Sequence, residues 1–261
     1  MKTSISKEIL SAAIIAVRQK KPLVHNITNY VVMNNSANAL LAIGASPIMA
    51  HWNDEMQEIA EITEALVINI GTLDSKWIES MKIAGIATSK KYKPIILDPV
   101  GAGATNKRTQ TAWELINLCH PTIIRGNASE IMALMNADVK SKGVDSSAKS
   151  SDAINAAKNL AIETNSVVVI SGPTDYITDG KKVMTVEGGD EIMTYVTGMG
   201  CTSTAIIGAF AAAINDPMVA ATAAMAVMSL AGERAAVKAT GNGSMQIYFL
   251  DELFNINPDN I

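Results

Sequence analysis

The chain has 261 residues, a formal net charge of −4, 48% hydrophobic residues, only 18% charged residues and 4% aromatics. A chain this apolar and weakly charged folds rather than staying disordered, and it lacks the basic face and stacking platforms that nucleic acid requires. Two cysteines, Cys119 and Cys201, cannot supply a disulfide framework for a chain of this length.

In chain order, residues 9–17 first resemble a signal-peptide core, but Arg18, Lys20 and Lys21 follow without a small-residue cleavage site. Ile5, Ile9, Ala13 and Val17 fall at helical spacing and predict an amphipathic surface helix instead. Residues 23–28 read as a strand, 30–42 as a helix ended by Gly44, 46–50 as a short strand and 54–62 as a helix. An apolar strand over 65–70 leads to a helix over 74–90. A strand over 94–98 leads through a glycine-rich loop to a helix over 109–119. Next come a strand at 122–125, a helix at 128–135, an amphipathic helix at 150–164 and a strand at 167–171. Residues 140–151 are polar and predict an exposed loop or helix entry.

The rhythm then changes. Residues 176–178 and 183–186 flank Asp179-Gly180-Lys181 and predict a hairpin. Ala-rich helices are expected near 201–214, 218–238 and 244–254. Residues 192–214 carry no charge, but their threonines, serine and glycines argue against a membrane span. Trp52, Trp77 and Trp113 read as packing residues.

Short apolar strands alternating with helices predict an α/β fold. Its mostly parallel sheet is covered on both faces and carries an antiparallel edge late in the chain. No linker or internal repeat divides residues 1–261, so one domain is expected. The chain reads as cytoplasmic, with neither a membrane nor a nucleic-acid partner.

In such sheets ligands bind beyond the carboxyl ends of the strands. Four segments there carry chemistry. Val196-Thr-Gly-Met-Gly-Cys-Thr-Ser-Thr204 places two glycines before an uncharged helix. Unpaired first-turn amides and the helix dipole make such a start an anion site, and Cys201 would have its thiol pKa lowered there. The bland alternative is a glycine turn with a small buried cysteine. Asp98 ends a buried strand before Pro99-Val-Gly-Ala-Gly-Ala-Thr105 and is a Mg²⁺ candidate, although an Asp before Pro is more often a turn former. Arg125-Gly-Asn-Ala-Ser-Glu130 sets a phosphate-gripping arginine beside Asn127 and Glu130, whose spacing alone is that of a capping box. Asn26 and Met49 are candidates to face a small substrate, although Met is usually core filler. His25 is read as structural.

Leu23-Val-His-Asn-Ile-Thr-Asn29, Gly44-Ala-Ser-Pro-Ile-Met49, Asp98-Pro-Val-Gly-Ala-Gly-Ala-Thr105, Arg125-Gly-Asn-Ala-Ser-Glu130 and Val196-Thr-Gly-Met-Gly-Cys-Thr202 occur in this order. Together they resemble the hydroxyethylthiazole kinase family, a branch of the ribokinase-like superfamily, over essentially the whole chain. The resemblance implies a three-layer α/β/α fold and a homotrimer with sites between subunits. It implies ATP- and Mg²⁺-dependent phosphorylation of the hydroxyl of 4-methyl-5-(2-hydroxyethyl)thiazole in thiamine biosynthesis or salvage.

By the family pattern Asp98 and Glu130 would help hold Mg²⁺, and Arg125 and Ser171 would bind ATP. Met49, Gly198 and more weakly Asn26 would contact the thiazole. Gly198, Met199, Gly200 and Cys201 would form the anion hole, with Cys201 at the reacting hydroxyl. Most of the superfamily carries an Asp at the position of Cys201. Two enzymatic rivals share the fold: another vitamin-alcohol kinase, and a nucleotide-dependent hydro-lyase for hydrated nicotinamide cofactors. The hydro-lyase would use an Asp where this chain has Cys201. A non-catalytic sensor of nucleotide or thiazole is the third rival.

Overall fold

A computed structural model of the chain describes residues 1–135 and 150–261. Nine strands form one sheet: β1 (Lys2–Thr3), β2 (Leu23–Ile27), β3 (Ser46–Ile48), β4 (Ala65–Asn69), β5 (Ile95–Asp98), β6 (Ile123–Asn127), β7 (Val167–Ser171), β8 (Thr174–Thr178) and β9 (Val183–Glu187). Their order is β1-β9-β8-β7-β6-β5-β4-β2-β3. The six strands from β7 to β3 run parallel, and β8, β9 and β1 continue the sheet antiparallel. The predicted antiparallel edge is present. Sequence patterning misses β1, because two residues are too short to show alternation.

The helices are α1 (Lys7–Lys20), α2 (Met33–Ile43), α3 (Met56–Ile62), α4 (Ser75–Ser89), α5 (Asn106–Cys119), α6 (Ala128–Met135), α7 (Ser150–Thr164), α8 (Met199–Ala213), α9 (Pro217–Lys238) and α10 (Asn242–Asn255). Within the predicted polar stretch, residues 140–149 lie outside the described ones. Starts follow capping chemistry. The side chains of Ser6, Asp74, Thr105 and Asp216 accept first-turn N–H groups of α1, α4, α5 and α9. Gly44 ends α2 in the left-handed region at φ +96°.

Two layers cover the sheet. On one face α1, α2, α8, α9 and α10 pack on Val24, Val67, Ile96, Ile123 and Val169. On the other, α3 to α7 pack on Leu66, Ile68, Leu97, Ile124, Val168 and Ile170. Successive strand residues thus alternate between the layers, as the pleat requires. The α1 seam is Leu10, Ala13, Ile14 and Val17, whereas Ile9 is exposed. The spacing through Ile9 is therefore one residue off the true apolar stripe. Trp52 is also corrected: it is 66% exposed, whereas Trp77 is 4%. Trp113 is half-buried and donates its indole N–H to Leu134 O at 3.0 Å.

Among the described residues no helix is long and apolar enough to cross a membrane. Most of the uncharged segment becomes α8, buried along nearly its whole length inside the first layer.

His25 is fully buried in β2, and its Nε2–H donates to Ala50 O at 2.9 Å beyond β3. Its Nδ1 has no partner. Burial pushes the imidazole down to about 4, against the backbone bond to Ala50. The unfolded chain titrates near 6.5, so between about 6.5 and about 4 it binds more protons than the fold. Stability therefore falls as pH drops through that window. From pH 7 to pH 4.5, wild type should lose about 2–3 kcal/mol more than His25→Gln, measured by urea unfolding.

Candidate active site

The pleat puts the polar strand ends on one face. Val67 and Asn69, Ile96 and Asp98, Ile123 and Arg125, and Val169 and Ser171 are i, i+2 pairs whose first members all belong to the α8 layer. Asn69, Asp98, Arg125 and Ser171 therefore project toward the start of α8 from four consecutive parallel strands, β4 to β7. Asn26 follows Val24 onto the same face.

The α8 start meets them. Gly198 precedes the helix at φ +85°, and a Cβ there would lie 2.5 Å from Val32 Cγ1. A Cβ at Gly200 would lie 2.7 Å from Arg125 Nη1, so the guanidinium rests against the helix's first turn. Arg125 Nη2 donates to Ser171 Oγ at 2.5 Å, and Nη1 stands 3.8 Å from Asp98 Oδ2. Thr204, one turn beyond Cys201, donates its hydroxyl to Asp98 Oδ2 at 2.7 Å. Asn69 Nδ2 donates to the same oxygen at 2.9 Å, while Asp98 Oδ1 is buried with no partner.

Burial controls the titrating groups. It raises Asp98 to about 6; Arg125 opposes this and Glu130 adds to it. It also raises Cys201 to about 11, with Asp98 adding to the rise and the amides of Asn69 and Asn29 and the Arg125 cation opposing it. The sequence expectation of a lowered thiol pKa at a helix start is thus reversed. The thiol is largely removed from water and near a carboxylate, and both disfavour its anion.

Glu130 does what its spacing alone predicts, and more. Its Oε2 accepts the Asn127 N–H at 2.8 Å, and Asn127 Oδ1 accepts the Glu130 N–H at 2.9 Å, which closes a capping box. Its Oε1 accepts the Gly101 N–H at 2.8 Å and so pins the glycine-rich loop after β5. Arg108 holds that loop from the other side, donating to Val100 O, Ile70 O and Gly71 O.

Two predicted substrate residues are not joined to the cluster by any hydrogen bond in the structure. Asn26 is buried and donates to Val24 O on its own strand at 3.1 Å, with Oδ1 unpartnered. Met49 lies just past β3, three strands from the Asp98 strand, which is about 14 Å of sheet.

The sequence places Asn29 and Asn69 among the polar strand-end residues and Thr204 in the glycine-rich helix start but gives them no role, and it does not single out Asp175. Asn29 Nδ2 donates to Cys201 Sγ at 3.4 Å. Asp175 is buried, accepts the Gly172 N–H at 3.0 Å, and is raised to about 6 by burial, with Gly172 and Arg125 opposing. Strand parity, carried two residues past each apolar position, was the signal available for Asn69.

Among the described residues no three His, Cys, Asp or Glu side chains converge as a metal cage. What converges is an arginine, a buried carboxylate and the amide-bearing start of an uncharged helix, beyond the carboxyl ends of a parallel sheet. Together with the three-layer sheet this is the architecture of the ribokinase-like fold. A pyridoxal kinase structure from Staphylococcus aureus shares that fold at a TM-score of 0.63 and 17% identity, covering 82% of this chain and 88% of its own.

The chain belongs to the hydroxyethylthiazole kinase family, whose profile matches residues 14–259. It is 53% identical over 245 residues to the hydroxyethylthiazole kinase of Leptospira biflexa, covering 94% of this chain and 92% of that one. The hydroxyethylthiazole kinase structure from Pyrococcus horikoshii matches at a TM-score of 0.89 and 41% identity, over 96% of this chain and 94% of that chain. The chain is a kinase, a phosphotransferase.

Gly198 holds the entry to α8 in a left-handed conformation, with no room for a side chain against Val32. Gly198→Ala should cost about 1–3 kcal/mol in urea unfolding, from the φ penalty and the displaced contact.

Proposed function

We propose that this chain phosphorylates the hydroxyl of 4-methyl-5-(2-hydroxyethyl)thiazole with ATP and Mg²⁺, in the cytoplasm, in thiamine biosynthesis or salvage. The carrying observation is the Arg125 guanidinium seated against Gly200 at the start of α8, one residue from Cys201. A cation, free first-turn amides and a thiol meeting at one point suit transfer of a phosphoryl group to an alcohol. Such transfer depends mainly on positioning and on stabilising spread negative charge.

In this reading Arg125 and Ser171 bind the ATP phosphates, and the amides of Gly198, Met199, Gly200 and Cys201 form the anion hole. The substrate oxygen attacks the γ-phosphorus in line. Its new bond forms as the bond to the β–γ bridging oxygen breaks, ADP leaves, and the hydroxyl proton is released. With Cys201 raised to about 11, the thiol is neutral at physiological pH. In this reading it orients the hydroxyl. The hydro-lyase alternative is disfavoured, because it would use an Asp at this position.

Asp98 and Glu130 fit Mg²⁺ as a pair. Asp98 Oδ1 is buried and unpartnered, and each Glu130 oxygen accepts one N–H and keeps a lone pair. Mg²⁺ retains several waters and takes one or two carboxylates plus phosphate. When bound, it offsets the charge of the ATP phosphates.

Met49, Gly198 and, more weakly, Asn26 contact the thiazole. The family resemblance implies a homotrimer with its sites between subunits. Light scattering in solution measures that assembly.

The direct test is Mg·ATP with the thiazole alcohol, following ADP release and the phosphorylated product. Absence of both ADP and phosphorylated product defeats the reading. Cys201→Ala should lower kcat about 10- to 100-fold while ATP still binds by calorimetry; near-wild-type turnover defeats the orienting role. Arg125→Ala should raise KM for ATP about tenfold and leave KM for the thiazole within about twofold.

A further inference from the structure

We propose that Asn29 and Asn69 are positioning residues for the transfer step, a two-amide relay that fixes the Cys201 sulfur relative to the Asp98 carboxylate. This rests on the phosphotransfer reading above.

The relay is continuous, and its bonds run outward from the Asn29 amide to Cys201 on one side and through Asn69 to Asp98 on the other. Asn69 Nδ2 donates to Asp98 Oδ2 at 2.9 Å. Its Oδ1 accepts from Asn29 Nδ2 at 2.9 Å and from the Gly71 N–H at 2.9 Å. Asn29 Nδ2 also donates to Cys201 Sγ at 3.4 Å, while Asn29 Oδ1 accepts the Val31 N–H at 3.1 Å. Neither amide tolerates a flip. Turning Asn69 would set its NH₂ against the Gly71 N–H, and turning Asn29 would set its NH₂ against the Val31 N–H. The backbone thus fixes the direction of every bond between Asp98 and the thiol.

The relay is also tightly confined. Asn29 and Asn69 are 5% and 1% exposed. A Cβ at Gly71 would lie 2.6 Å from Asn29 Nδ2, so the chain comes as close to this amide as it can. Two buried amides at strand ends in an otherwise apolar protein are costly unless fully bonded, and here each is bonded at both ends. The consequence for Cys201 is specific. Its sulfur accepts from Asn29, so its own hydrogen is free for another acceptor. A neutral thiol held this way has a defined orientation at the point where the substrate hydroxyl is read to bind.

A double-mutant cycle separates positioning through Cys201 from a general structural role. Asn29→Ala should lower kcat about tenfold, with KM for ATP within about twofold, and cost less than about twofold in the Cys201→Ala background. An equal loss in both backgrounds overturns the proposal. Should Asn29→Ala fail to fold by circular dichroism, Asn29→Ser replaces it in the cycle.

A second arm does not need activity. Asn29→Asp keeps the size of the side chain but cannot donate and brings a negative charge to the thiol. It should slow iodoacetamide alkylation of Cys201 at least about fivefold at pH 9, followed by peptide mass mapping so that buried Cys119 does not contribute. An unchanged rate overturns the proposal. If wild type forms no phosphorylated thiazole, the functional reading falls and the alkylation result alone decides the relay.

Discussion

The candidate site depends on how closely α8 lies on the sheet. A Cβ on Gly208 would lie 2.7 Å from Val67 Cγ2 and 3.1 Å from Val24 Cγ1, so the helix seats where a larger residue could not. Around it Ala205, Ile206, Ile207, Ala209 and Phe210 are all essentially buried. The helix has no solvent face to accommodate charge, which explains why this stretch of sequence has none. Burying one branched aliphatic side chain contributes about 1.5–3 kcal/mol, so a helix buried this completely is firmly placed. Its first turn then has one available position, over the ends of β4 to β7. The Thr204 hydroxyl bond to Asp98 marks that position from the helix side.

The seating also explains why the site tolerates a poor ion pair. Asp98 and Arg125 stand 3.8 Å apart and almost completely buried. Desolvating two charges costs several kcal/mol, and at this separation their attraction does not fully offset it. Asp98 is accordingly raised to about 6 in spite of the neighbouring cation. A protein selected for stability alone would place apolar residues here. The arrangement makes sense if the partners are completed by a ligand bearing phosphate and cation, which supplies the missing contacts to Asp98 Oδ1 and to the guanidinium.

Much of this was legible in the sequence, and the reasons are physical. The alternation of short apolar strands with helices specified the parallel α/β sheet, because a strand buried on both faces has to be apolar throughout. The strand ends that carry Asp98, Arg125 and Ser171 stood out as polar residues directly after such runs. Asn29 stood in the same polar row, but no role could be read for it, because it lies two residues beyond β2, where parity no longer fixes direction. Thr204 was hidden for the opposite reason: among the threonines and serines of a small-residue helix, nothing local separates the one that meets a carboxylate. Trp52 was misjudged because bulk and apolarity predict burial only on average, and it sits in the exposed turn after β3.

The largest departure concerns the thiol, where two principles compete and geometry decides between them. A helix start favours an anion through its amides and dipole, so Cys201 at the third position of α8 looks like an activated nucleophile. That effect is worth about 0.3–1 kcal/mol in most settings, whereas burial beside a carboxylate acts through desolvation and like-charge repulsion together. The second effect wins, and the thiol is pushed up to about 11. The same amides remain available to a ligand whose charge is carried by phosphate oxygens rather than by sulfur. In the phosphotransfer reading proposed above, a neutral thiol leaves the helix start free to act on the transferring group, whereas a thiolate would compete with that group for the same donors. Phosphoryl transfer, which needs charge stabilisation more than a strong base, suits that arrangement.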